Sequence, residues 1–74
     1  MTLVNSLTRP ILVIDVKVAG VSVMAAVRAA AIKNGWLQDP DDDGDLVFLP
    51  GEQLTVELAN HPGALLYEMR WIEP

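Results

Sequence analysis

Two stretches of this chain alternate apolar and polar side chains with the two-residue rhythm of a strand, and a third is alanine-rich with the rhythm of a helix. Pro10 opens the first strand. Ile11-Leu12-Val13-Ile14-Asp15-Val16-Lys17-Val18 is dense in β-branched residues, which fit a pleated surface. Strict alternation puts Leu12, Ile14, Val16 and Val18 on one face and Ile11, Val13, Asp15 and Lys17 on the other. Gly20 breaks the run. Ser22 then serves as a helix N-cap, its hydroxyl accepting from a free N–H of the first turn. The helix runs over Val23 to Lys33 and stops at Asn34-Gly35, where glycine accepts the left-handed conformation. At 100° per residue, Val23, Val27, Ala30 and Ala31 face the core, while Ala25, Ala29 and Ile32 point away.

The second half reads as strands joined by turns. Leu46 to Leu49 is a short strand, and Pro50-Gly51 suits the centre of a type II turn. Gln53 to Leu58 alternates with Leu54, Val56 and Leu58 inward. Asn60-His61-Pro62-Gly63 is a second turn cluster. Ala64 to Ile72 fits both a strand and a helical stripe; the turn-linked strands before it favour a strand. The expectation is a single small α+β domain over residues 1–74, in the order β-α-β-β-β. One mainly antiparallel sheet carries one helix on one face, and residues 1–9 form an extended N-terminal segment.

A register can be read for the first and last strands. Laid antiparallel with paired numbers summing to 85, Asp15 faces Arg70 and Lys17 faces Glu68, both opposite in sign. Val16 then meets Met69, Ile14 meets Trp71 and Val13 meets Ile72. The sheet order that follows is first, fourth, third, second.

Composition makes the uncovered face of such a sheet matter. The chain has 74 residues, no cysteine, and 51% hydrophobic residues. A domain this small has little interior and usually needs a metal, a disulfide or a partner. One short helix leaves Ile11, Val13, Val47, Leu49, Leu66 and Ile72 on the far sheet face. The N-terminal Leu3, Val4 and Leu7 can cover part of it. A second chain is the other solution. The expected contact surface is therefore Ile11, Val13, Leu66 and Ile72 from the sheet, with Ala25, Ala29 and Ile32 from the helix.

Charge adds one feature. The formal charge is −5, and five of the ten acidic residues lie in Asp39-Pro40-Asp41-Asp42-Asp43-Gly44-Asp45. No basic patch marks a nucleic-acid surface. The stretch Val18 to Ile32 is too short and too interrupted to span a bilayer. The first ten residues lack the basic head and apolar run of a signal peptide, which leaves a cytoplasmic location as the expectation. The acidic window resembles the calcium loop of the EF-hand family. Asp39, Asp41 and Asp43 stand at its first, third and fifth positions, Gly44 at the sixth and Leu46 at the eighth. The resemblance implies Ca²⁺ bound by Asp39, Asp41, Asp43 and Asp45. The twelfth position is Pro50 where the family has a bidentate Glu, with Glu52 two residues beyond. A solvated turn and an acidic patch for a partner are the other readings of the window.

Candidate catalytic chemistry is sparse. His61 is the only histidine and sits in a turn sequence. No nucleophile elbow or phosphate-binding glycine loop is present. Trp36 and Trp71 suit the ends of a small core. The sequence thus points to a small non-enzymatic protein acting by contact. It would work as a homo-oligomer or as an accessory or inhibitory subunit of a larger protein, in the manner of compact phage-encoded accessory proteins. A calcium-dependent module and an acidic decoy of a nucleic-acid-binding surface are the rivals. No membrane and no direct nucleic-acid contact is expected.

Overall fold

The strand that begins after Pro10 organises the molecule. A computed structural model describes residues 1–38, 44–58 and 66–74. In it, β2 (Ile11–Val18) lies at the centre of a four-stranded sheet. β1 (Thr2–Val4) precedes it; β3 (Val21–Ser22), α1 (Met24–Lys33), β4 (Val47–Phe48), β5 (Gln53–Thr55) and β6 (Glu68–Ile72) follow. The chain is a small α+β domain with one helix, and every described strand pair is antiparallel. β6 lies along one edge of β2; β4 and β3 share its other edge, at opposite ends.

The sheet is divided where the sequence suggested continuity. The expected order first, fourth, third, second does not hold: β4 pairs with β2 directly, and among the described residues β5 joins neither β4 nor β6. β5 pairs with β1, with Leu3 opposite Leu54 and both fully buried. The extended N-terminal segment is therefore a strand, and it completes the core instead of lying over the outer sheet face. Asn5 fixes its far end. This buried side chain donates from Nδ2 to the carbonyls of Arg9 (2.8 Å) and Phe48 (3.0 Å). Its Oδ1 accepts from the Leu7 N–H at 2.9 Å. One amide thus holds together the loop after β1 and the end of β4, and its own polar atoms are satisfied without water.

The register of β2 and β6 follows the expected pairing over half its length. Asp15 faces Arg70, Val16 faces Met69 and Lys17 faces Glu68. Beyond Asp15 the pairing slips by one, so that Val13 meets Trp71 and Leu12 meets Ile72. The expected pairs Ile14 with Trp71 and Val13 with Ile72 are therefore replaced. Ile14 is the extra residue of a β-bulge, and it re-phases the strand. Ile11, Val13, Val16 and Val18 are all buried, at 1%, 5%, 0% and 5% exposure. Unbroken alternation would have placed the first two of these beside Asp15 and Lys17. Burying a side chain of this size contributes about 1.5–3 kcal/mol. Two of them outweigh the loss of one regular ladder position.

The remaining elements show their local causes. Val18-Ala19-Gly20-Val21 makes a two-residue hairpin turn, with positive φ at both Ala19 (51°) and Gly20 (78°). Ser22 belongs to the returning strand, so it is not the helix cap. Val23 occupies that position and offers no side-chain cap. The helix ends in a Schellman arrangement: Trp36 N–H bonds the Ala31 carbonyl (2.8 Å), Gly35 N–H bonds that of Ile32 (3.0 Å), and Gly35 has φ of 79°. The bonds deliver Trp36 onto Phe48, edge to face at 5.0 Å between ring centroids. Val27, Ala30 and Ala31 are the buried helix face. Leu49 to Glu52 closes as the expected turn, with Gly51 at φ of 80° and a 3.0 Å bond from the Glu52 N–H to the Leu49 carbonyl. The last segment is a strand, from Glu68 to Ile72. The core lies between the inner face of the β2 sheet, α1 and the β1–β5 ladder. Among the described residues, no helix is long and apolar enough to cross a membrane.

Candidate functional site

The bulge shapes the outward face of the sheet. A bulge turns two successive side chains the same way, and here Ile14 and Asp15 both leave the core. Ile14 is 40% exposed. Asp15 is held in place: its Oδ1 accepts from the Ser22 hydroxyl at 2.7 Å and from the Val16 N–H at 2.9 Å. Tyr67, just before β6, and Met69 and Trp71 on it pack inward against the core, while Glu68, Arg70 and Ile72 stay exposed. The result is a face with two halves.

One half is apolar. Leu12 lies directly opposite Ile72 on β6 and Val47 on β4, so three strands contribute one continuous apolar row. Ile72 is 51% exposed and Val47 37%. The other half is charged. Asp15 opposite Arg70 and Lys17 opposite Glu68 make a square of alternating sign around a shallow cleft of about 300 Å³. Leu66, just before β6, is 95% exposed. β6 itself is an edge: among the described residues it pairs only with β2.

A second concavity, of about 570 Å³, separates α1 from β5. Ala26 and Ala29 line its helix side, and Gln53, Thr55 and Glu57 its strand side. Lys33 and Glu57 approach to 3.6 Å across it, both largely exposed. Exposed pairs of this kind contribute little. Its walls bring together no catalytic or metal-binding set.

The sequence-derived contact residues divide clearly. Ile72 is on the outward face of β6, and Leu66, just before that strand, is exposed. Ile11 and Val13 are in the core, carried there by the bulge, and cannot meet a partner. Ala25 and Ala29 are exposed on the helix; Ile32 is partly buried and packs against the core. Of the proposed calcium ligands, Asp39, Asp41 and Asp43 lie outside the described residues, as does His61. Asp45 is exposed. Among the described residues, no three His, Cys, Asp or Glu side chains gather as a metal site. Ile14 and Leu12 were missed from sequence, because alternation assigned both to the core side. An apolar residue directly followed by Asp15 and Lys17 in alternating positions was the available sign of a phase change. Comparison with protein-family models, with curated proteins and with solved structures found no match.

Proposed function

We propose that this chain works by contact with protein surfaces, in the first place with copies of itself, and not by catalysis. The observation that carries this reading is the Val47–Leu12–Ile72 row on the outward face, lying beside the open edge of β6. Single exposed apolar side chains are ordinary. A row continuous across three strands, flanked by Ile14 and next to a strand that among the described residues pairs on one side only, is the kind of surface that a partner covers. An accessory or inhibitory role toward a larger protein would use the same surface.

Two substitutions test the reading by light scattering. Ile72→Lys places a charge in the apolar row and should disperse the assembly while leaving the fold intact. Ala29→Glu alters the exposed side of α1 and should leave the mass unchanged. The opposite pattern would move the contact surface to the helix and overturn the assignment to the sheet.

A further inference from the structure

We propose that two copies join along β6, antiparallel about a two-fold axis at Met69, to make one continuous sheet; this rests on the self-association reading above. The backbone groups of β2 show which groups of β6 face outward. Val16 gives its N–H to Asp15 Oδ1, and its carbonyl accepts from the Val23 N–H at 2.8 Å. Neither is directed at Met69, its partner on β6. Val13, opposite Trp71, likewise gives its N–H away from β6, to the Leu46 carbonyl at 2.9 Å. In an antiparallel ladder bonded and non-bonded pairs alternate. The N–H and C=O groups of Tyr67, Met69 and Trp71 therefore point out of the sheet edge. These are the groups a second strand would meet.

Register fixes where the copies meet. A two-fold axis must pass beside one residue of the strand, which leaves few choices. Centred on Met69, Tyr67 bonds Trp71 of the second copy and Met69 bonds itself, so all three outward residues are satisfied on both chains. Glu68 then lies opposite Arg70 of the second copy, and Leu66 opposite its Ile72. The two exposed apolar side chains of this segment, at 95% and 51%, cover each other. Centred on Glu68, that carboxylate would face itself. Centred on Arg70, the guanidinium would face itself and Glu68 would face Ile72. Centred on Trp71, Arg70 would face Ile72. Like charges directly opposite oppose pairing.

The pairing also continues the charge pattern of β2. Asp15 opposite Arg70 and Lys17 opposite Glu68 are fixed within one chain. Joining two copies at Met69 produces, across four strands, Asp15, Arg70, then Glu68 and Lys17 of the second copy. The sign alternates at every step, and the symmetric row runs the other way.

Glu68→Arg and Arg70→Glu test this register. Each alone sets like charges opposite across the axis, twice per dimer, and should weaken the dimer by about tenfold or more. Mixed in equal amounts they restore opposite signs at both positions, and sedimentation should show the dimer return as a heterodimer. A wild-type dimer whose single variants remain equally dimeric would overturn the register and leave self-association standing. So would folded variants that fail to recover on mixing. A monomeric wild type would remove both. If either variant does not fold, a half-labelled wild-type sample decides: an intermolecular Hα–Hα contact between Glu68 and Arg70 supports the register, because non-bonded antiparallel pairs bring Cα atoms to about 4.5 Å. A dimer without that contact overturns it.

Discussion

Both faces of β2 carry branched aliphatic residues, and these have opposite fates. Inward, Ile11, Val13 and Val16 share one core with α1, Phe48, Leu3 and Leu54, and Val18 is buried as well. Outward, Leu12 and Ile14 stand beside Asp15 and Lys17, and Ile14 is 40% exposed. Hydrophobicity alone does not separate them, since Ile11 and Ile14 are the same residue. The difference is the bulge. One inserted residue lets two short alternating runs, out of phase in sequence, share a single core. The excess appears on the other face as the apolar row that a partner can cover.

The largest break in this comparison comes from the inner side. Phe48 is fully buried and supports Trp36. Phe48→Ala should lower stability by about 3–5 kcal/mol in chemical denaturation. Ile72→Ala, on the outer face, should change the unfolding free energy of the isolated chain by less than about 1 kcal/mol. Comparable losses would mean that the outward face is already part of the core.

Deletions test the bulge directly. Removing Ile14 leaves Ile11, Val13, Val16 and Val18 in simple alternation with Leu12, Asp15 and Lys17. The strand should straighten and keep every remaining side chain on its face. Removing Leu12 instead turns Ile11 outward and loses about 1.5–3 kcal/mol of its burial. The Leu12 deletion should therefore melt clearly below the Ile14 deletion. The reverse order would contradict the phase-correcting role of Ile14.

A smaller effect sharpens the charged half. Asp15→Arg should destabilise modestly, and adding Arg70→Asp should recover part of the loss, with a coupling of about 0.2–1 kcal/mol in a double-mutant cycle. Zero coupling would mean that solvent separates the two groups despite their register. Ser22 is a useful control, because it bonds the same Asp15 oxygen that the first substitution removes.

The end of the helix, the turn at Pro50-Gly51, the inward set on the helix and the pairing of Asp15 with Arg70 were all legible in sequence. Each is set by local chemistry or by a repeating pattern: Gly35 for the helix end, Gly51 for the turn, period two for β6. What escaped depends on distant partners. The only local sign of the bulge is the point where the apolar run meets Asp15; the bulge itself is imposed by the need to bury both ends of β2. The pairing of the N-terminal segment with β5 joins residues about fifty apart, and Asn5 looks like any loop asparagine until Phe48 and Arg9 surround it. Ala19 carries a hairpin turn at positive φ without the usual Asn or Gly, so the hairpin after β2 was also silent. The outward site was half legible for the same reason. Ile72 follows from β6 alone, whereas Leu12 and Ile14 require knowledge of the bulge.

Sedimentation equilibrium of the wild-type chain over a range of concentrations tests the central claim most directly. The mass should rise toward twice the 8.1 kDa of one chain, with the Ile72→Lys variant held at the single-chain mass. A wild-type chain that stays at 8.1 kDa into the high micromolar range would contradict it.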